Sequence, residues 1–223
     1  MKGRIALITG ASGGIGKAIA ETFRAEGAVT LTPSHAELDL SSNESIDKYL
    51  SSGSARKVDI LVNNAGINPL GSAEDYTDAD LAAVIQLNLA APMRLMRGLL
   101  PGMRECGYGR VVNISSVWSL VSKPRRFAYS AMKAGLNGAT RAAAVECSPY
   151  GVLVNAVAPG FVNTELTRKN NTESDLKVIA QGIPARRLAE PSEIAAVVAF
   201  LASERNTYIA GQTIVADGGY TCL

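Results

Sequence analysis

Tyr129 and Lys133 stand four residues apart in Tyr129-Ser-Ala-Met-Lys133, inside an alanine-rich stretch with helical spacing. Four residues along a helix return to the same face, so phenol and ammonium are neighbours. An ammonium about 5 Å from a phenol, at an effective dielectric of ~20, favours the phenolate by roughly 3 kcal/mol. The spacing therefore predicts a tyrosine drawn below its ordinary range toward working pH, able to give or take a proton. An ordinary surface pair on a helix has the same spacing, so the pair alone assigns no chemistry. Upstream, Ser115-Ser116 offers a hydroxyl that can donate a hydrogen bond to a substrate oxygen as negative charge develops there.

A second group sits near the N-terminus, in Thr9-Gly10-Ala11-Ser12-Gly13-Gly14-Ile15-Gly16. It follows a short apolar run and opens a segment with helical spacing. Glycines at such a junction permit positive φ, let the backbone approach a pyrophosphate, and let the helix pack closely on a sheet. The helix N-terminus then offers free N–H groups and a partial positive charge. The turn lacks the Lys-Ser/Thr ending of a nucleoside-triphosphate loop, so a dinucleotide is favoured. A tight strand-to-helix turn without a ligand is the alternative.

These groups must be held by a frame, and the hydrophobic pattern supplies one. Apolar runs of strand length recur at Ile5–Ile8, Val29–Thr32, Ile60–Val62, Val111–Ile114, Leu153–Val157 and Ile214–Ala216. They are continuous rather than alternating, as expected of strands buried on both faces. Between them lie helical segments. Gly14–Glu26 carries Ile15, Ala18, Ile19, Thr22 and Phe23 on one face, and Ser41-Ser-Asn-Glu44 resembles a capping box before Ile46–Leu50. Thr77-Asp-Ala-Asp80 opens a long helix through Met96, Ala128–Cys147 is helical, and Pro191-Ser192 starts a helix ending near Ser203. Strand–helix alternation predicts an α/β fold: a Rossmann-like, doubly wound parallel sheet with helices on both faces. No linker or repeat divides the chain, so residues 1–223 are read as one domain. Only Pro33–Leu38 separates the second run from Asp39. A parallel crossover needs about a dozen residues, so the sheet edge beyond the second strand is expected to be truncated.

Composition narrows the function classes. In 223 residues, 47% are hydrophobic, enough for a sizeable core, and 22 basic residues against 20 acidic leave a net charge of +2. That balance gives no electrostatic reason to expect nucleic acid or an anionic membrane as partner. Cys106, Cys147 and Cys222 lie too far apart for a disulfide ladder or a metal knuckle, and His35 is the single histidine, so no metal site is expected. No apolar run approaches the ~18 residues of a membrane span, and Met1-Lys2-Gly3-Arg4 enters a strand-like run without a secretory signal. A cytoplasmic protein is the expectation.

Taken together, the motifs resemble those of the short-chain dehydrogenase/reductase family, in a pattern nearest the 3-oxoacyl-carrier-protein reductases. The resemblance rests on Thr9-Gly10-x-x-x-Gly14-x-Gly16, Asn63-Asn-Ala-Gly66, Ser116 thirteen residues before Tyr129, the Tyr129/Lys133 pair, Pro159-Gly160, and Tyr208-Ile-Ala-Gly211 through Asp217-Gly-Gly219. It implies an NAD(P)(H)-dependent oxidoreductase interconverting a ketone and a secondary alcohol, with Tyr129 as general acid/base. Asn88, Ser116, Tyr129 and Lys133 would be the catalytic set, Asn88 holding a water that links Lys133 to solvent. Cofactor contacts would come from Gly10, Ser12, Gly13, Gly14, Ile15 and Gly16 at the turn. Ser34, Asp39 and Leu40, then Asn64, Ala65 and Gly66, would lie along the adenosine half. Tyr129, Lys133, Pro159, Gly160, Val162 and Thr164 would border the nicotinamide. Two other readings share parts of this set: a dinucleotide-binding regulatory protein, and a nucleotide-sugar epimerase or dehydratase, whose C-terminal domain is usually larger.

The end of the second strand reads Thr32-Pro33-Ser34-His35, with no acid until Glu37 to repel a 2′-phosphate, so NADP(H) is favoured weakly over NAD(H). The substrate is a small carbonyl or alcohol compound. Lys123-Pro-Arg-Arg126 either receives an anionic part of it or is a solvated basic loop. Trp118, Phe127, Phe161 and Tyr220 could wall the pocket, and Glu165–Gln181 reads as a substrate lid. The apolar Ile194, Val197, Val198, Phe200, Leu201, Ile214 and Val215 exceed what one sheet edge buries; with the resemblance they imply a homotetramer or homodimer.

Overall fold

The computed structural model describes residues 1–53 and 55–223, leaving aside the side chain of Arg56. Six strands form one sheet: β1 (Ile5–Ile8), β2 (Val29–Leu31), β3 (Ile60–Asn63), β4 (Gly109–Ile114), β5 (Val152–Pro159) and β6 (Thr213–Ala216). Their order is β2-β1-β3-β4-β5-β6 and every pairing is parallel. Alternate residues of each central strand feed opposite layers, as the two-residue period of a strand requires. Ile60 and Val62 join a core with Ile19, Ala20 and Phe23 of α1 (Gly14–Ala25). Leu61, between them, faces the other layer, among Ile46 of α2 (Asn43–Ser51) and Leu95, Leu99 and Met103. Burial on both faces explains the continuous apolar runs.

The truncated edge is present. β2 has three residues, Val29 is 54% exposed, and no strand lies beyond it among the described residues. Pro33–Leu38 closes into one turn, in which the Ser34 carbonyl accepts from Glu37 N at 3.1 Å and Leu38 N at 3.0 Å. Leu38 and Leu40 then drop directly into the core.

Two boundaries differ from expectation. The cap of α2 is Ser42 rather than Ser41, its hydroxyl accepting from Ser45 N, because the Asp39 carboxylate takes the Ser41 N–H and hydroxyl at 2.8 and 2.6 Å. The helix opened by Thr77 does not stop near Met96. It runs as α3 (Asp78–Ile85), one π-helical turn (Gln86–Ala90) and α4 (Ala91–Glu105). Pro92 has no N–H to give the Asn88 carbonyl four residues back, so the regular ladder cannot pass this point. The remaining helices are α5 (Phe127–Cys147), α6 (Glu165–Lys169), α7 (Glu173–Gly182) and α8 (Pro191–Ala202). Ile194, Val198 and Leu201 of α8 are absorbed in this chain's own core against α1, which corrects the expected apolar surplus; Phe200 and Val215 remain 38% exposed. No helix among the described residues is long and apolar enough to cross a membrane.

Candidate active site

The carboxyl ends of β1, β3, β4 and β5 open onto one cleft of ≈ 470 Å³. In open α/β sheets ligands bind at these strand ends, where helix N-termini converge. At β1 the turn enters α1 through Gly13, whose N-cap position has no side chain to bond the first helical N–H groups. A Cβ on Gly16 would lie 2.3 Å from the Gly10 carbonyl oxygen, so only glycine allows this approach of helix to turn. Gly13 has open space around it. The turn is locked to the end of β3: Asn64 Nδ2 donates to the Thr9 and Gly10 carbonyls at 2.9 and 3.0 Å, and the Thr9 hydroxyl accepts from Asn64 N and Ala65 N. The uncapped N–H groups at the start of α1, beside an unfilled glycine surface, fit the pyrophosphate of a dinucleotide.

At β4, Ser116 accepts from Trp118 N at 3.2 Å, leaving its O–H to donate into the cleft. Ser115 instead turns toward the backbone of α5, its hydroxyl 3.4 Å from the Lys133 carbonyl. Tyr129 and Lys133 rise from the first turns of α5 into the same cleft. Their electrostatics correct the expectation from spacing. Lys133 Nζ donates to the Ile114 carbonyl at 2.7 Å and lies 5.6 Å from the centre of the Tyr129 ring. Burial raises the Tyr129 pKa above its ordinary value, opposed by the Ser116 hydroxyl and by Arg126. Burial brings Lys133 itself down to about 8. The reason is that a phenolate and an ammonium both lose hydration here, which helical spacing does not reveal.

Asn88 is fully buried in the π-helical turn and is not itself part of the cleft wall. Its Nδ2 donates to the Ile67 and Val84 carbonyls, while its Oδ1 is buried without a partner. Oδ1 and Lys133 Nζ face the same glycine: a Cβ on Gly66 would be 2.5 Å from one and 3.6 Å from the other. Pro159, Gly160, Val162 and Thr164 follow β5 along the cleft. Gly160 fits because a Cβ there would come within 2.8 Å of Asp217, the residue that ties down the C-terminal loop through Gly219 and Thr221. Thr164 caps α6 and reaches over Gly14.

Gly10, Ser12, Gly13, Gly14, Ile15, Asn64, Ala65 and Gly66 line the cleft with Ser116, Tyr129 and Lys133. Gly16 supports the turn from beneath. Leu40 lies outside the cleft wall, buried in the core, and Ser34 and Asp39 lie outside it at the sheet edge. There the Ser34 N–H and hydroxyl both donate to one Glu37 carboxylate oxygen at 2.8 Å, so an acid does stand at the end of β2, folded back by the short turn. His35 is exposed, 3.7 Å from the Asp39 carboxylate. The Leu40 carbonyl accepts from Gln86 Nε2.

Trp118 and Phe161 wall the cleft and Tyr220 packs on both, with ring centres 5.4–5.9 Å apart. Phe127 faces outward, 54% exposed and beside Tyr76, because it starts α5 on the face opposite the cleft. The segment expected as a lid forms α6 and α7, and Glu165, Leu166, Thr167, Asn170 and Asn171 border the cleft. Sequence reasoning passed over Asn68, also in the wall. Its signal was its place, two residues beyond the Asn63–Gly66 motif at a strand's carboxyl end.

Residues 32–221 match a family model described as enoyl-(acyl carrier protein) reductase. A 3-oxoacyl-(acyl-carrier-protein) reductase of Vibrio cholerae is 37% identical, with 98% of each chain covered. The alignment spans 239 positions, more than the 223 residues here, so this chain carries deletions relative to that enzyme. Among solved structures, levodione reductase superposes with a TM-score of 0.93 at 31% identity, covering 100% of this chain and 99% of that one. ElxO with NADP bound gives 0.92 at 28%, covering both chains completely. With a parallel sheet in this order and a glycine turn, serine, tyrosine and lysine on one cleft, the chain belongs to the short-chain dehydrogenase/reductase family of NAD(P)-dependent oxidoreductases.

Proposed function

We propose that residues 1–223, as a single domain, reduce a small ketone to a secondary alcohol, and run the reverse oxidation, with Tyr129 as the proton donor and acceptor. The observation that carries this reading is the convergence of Tyr129, Ser116 and the Gly10–Ile15 turn on one cleft. The cofactor is a nicotinamide dinucleotide, held by Gly10, Ser12, Gly13, Gly14, Ile15 and Gly16 at its phosphates, by Asn64, Ala65 and Gly66 along one side, and by Pro159, Gly160, Val162 and Thr164 at the nicotinamide. Ser34, Asp39 and Leu40 serve the adenosine end. When bound, the cofactor supplies or accepts hydride. NADP(H) is favoured weakly over NAD(H): the solved relative ElxO carries NADP. Glu37, seated on Ser34, keeps that preference small.

The residues of this chain handle the proton. A phenol that burial keeps protonated is a donor ready for a carbonyl oxygen on which charge builds. The Ser116 O–H steadies the same oxygen. Lys133, with a pKa of about 8, exchanges its proton near neutral pH and faces Asn88 Oδ1 across Gly66, a route for re-protonating Tyr129 from solvent. Tyr129→Phe should cut turnover at least ~10²-fold while cofactor binding, followed by quenching of Trp118, persists. Near wild-type turnover in that variant would refute the assignment. The enzyme acts in the cytoplasm as a homodimer or homotetramer, with Phe200 and Val215 in a subunit interface. A monomer mass by light scattering at micromolar concentration contradicts the assembly.

A further inference from the structure

Beside Tyr129 lies a buried cation with no counter-charge. Arg126 is only 6% exposed, lines the cleft, and joins no salt bridge among the described residues. Its Nη1 donates to Asn68 Oδ1 at 3.0 Å, its Nε is buried with no partner, and its Nη2 makes no hydrogen bond. Lys123 reinforces the charge, its Nζ 5.3 Å from the centre of the Trp118 ring and 5.5 Å from that of Phe161. Burial pulls both cations below their ordinary pKa values. Leaving a largely buried guanidinium without a counter-charge is costly, and folds rarely keep one without a use.

The chain holds Arg126 in this place deliberately. Arg125 adopts φ +67, a left-handed conformation unusual for a side chain of its size, and Arg126 then forms a parallel bridge to Gly71. Such local strain persists where the surroundings over-determine it, and it clusters at ligand sites. Arg126 precedes Tyr129 by three residues at the start of α5, so both reach one side of the helix, a turn apart. The Nε–Nη2 edge has no acceptor among the described residues, and its two parallel N–H donors are the fork that a carboxylate accepts with both oxygens. Glu165 is the acid among the cleft-lining residues, and it is exposed and unpaired.

We propose that the substrate of the Tyr129 site is an oxo acid, whose carboxylate is seated on the Nε–Nη2 edge of Arg126 a few bonds from the carbonyl. This rests on the ketone-reductase reading above and adds the chemical class. Arg126 is then the specificity-determining residue, with Lys123 raising the local potential and Trp118 forming the wall beneath both cations.

The test compares oxo acids with their methyl esters, acetoacetate against methyl acetoacetate and 4-oxopentanoate against methyl 4-oxopentanoate. Wild type should prefer the acids by about 10²-fold in kcat/KM, and Arg126→Gln should bring that ratio near one, the acids losing far more than the esters. Arg126→Lys, which keeps the charge without the fork, should retain part of the preference. Equal losses on acid and ester would mark Arg126 as structural and overturn the proposal, as would a wild type indifferent to the ester. A separate readout needs no turnover. Trp118 is the single tryptophan, so acetoacetate added to the Tyr129→Phe enzyme should quench its fluorescence saturably, and Arg126→Gln in that background should abolish the effect. Absence of quenching, the result if Glu165 neutralises Arg126 in solution, overturns the proposal, and so does inorganic phosphate binding more tightly than acetoacetate. Should neither acids nor esters be reduced, the reductase reading fails, and the carboxylate-dependent quenching still decides the seat on Arg126.

Discussion

The two ends of the site are built differently. At the end proposed for proton transfer, Ser116 lies just past central strand β4, Tyr129 and Lys133 stand on the long helix α5, and Asn88 sits in a buried helical turn, with core on both faces of the sheet. At the other end, Ser34, Glu37 and Asp39 follow a three-residue edge strand in one short turn, where Glu37 accepts from Ser34 and Asp39 from Ser41. Around the proposed proton-transfer groups Asn88 and Lys133 are buried, and burial brings the Lys133 pKa down to about 8. At the edge proposed for the adenosine end, one short turn carries the chain from β2 back to the core. The lesson is that cofactor preference should be easy to alter in this protein and proton transfer should not.

The largest contrast comes from Lys133→Met. Turnover should fall ~10²-fold or more, while the folded state gains stability at pH 7. The sign follows from a pKa lowered from 10.5 to about 8 on folding. Below pH 8 both folded and unfolded chains carry the charge, and the folded state bears its full burial cost. Between 8 and 10.5 the unfolded chain holds a proton that the folded one has shed, so wild-type stability rises with pH, by up to ~3 kcal/mol across the window. The variant's advantage in thermal melts should therefore shrink over that interval. An advantage constant from pH 7 to pH 10.5 would mean that Lys133 is not buried as a strained cation.

A smaller effect is expected at the far end. Glu37→Gln removes the carboxylate held on Ser34, and the ratio of kcat/KM for NADPH over NADH should rise by roughly 3- to 30-fold, the worth of relieving one exposed charge contact. Ser34→Asp should move it the other way, toward NADH. Neither change should alter the pH dependence of turnover; if Glu37→Gln does, the two ends are coupled and the contrast fails. Smallest of all, Val29→Lys on the open strand edge should stay within about 0.5 kcal/mol of wild type by urea denaturation, whereas Leu61→Ala in β3 should cost roughly 2–5 kcal/mol. A large loss at Val29 would show that the edge is covered in the assembled protein.

Much of this was legible beforehand. The glycine turn, the Asn63–Gly66 motif and the Ser116/Tyr129/Lys133 set each sit where a strand ends or a helix begins, and local pattern locates such junctions. Counting residues from Pro33 to Leu38 was enough to remove a crossover, because chain length limits what a connection can span. The π-helical turn was readable in principle from Pro92, whose missing N–H falls opposite Asn88, though the apolar spacing of the segment hides it.

What the sequence determines by itself is therefore which residues share a face, which runs are buried twice, and where the chain lacks room. What only the tertiary structure decided is the direction of long polar side chains and the sign of their electrostatics. Lys133 turns to the Ile114 carbonyl and not to the phenol, Glu37 folds back onto Ser34, and Arg126 enters the cleft beside Asn68. Spacing along a helix sets where a side chain starts. Its end point and its pKa are set by the carbonyls, rings and solvent that distant segments bring around it, because burial and hydrogen bonding act over a few ångströms and not along the chain.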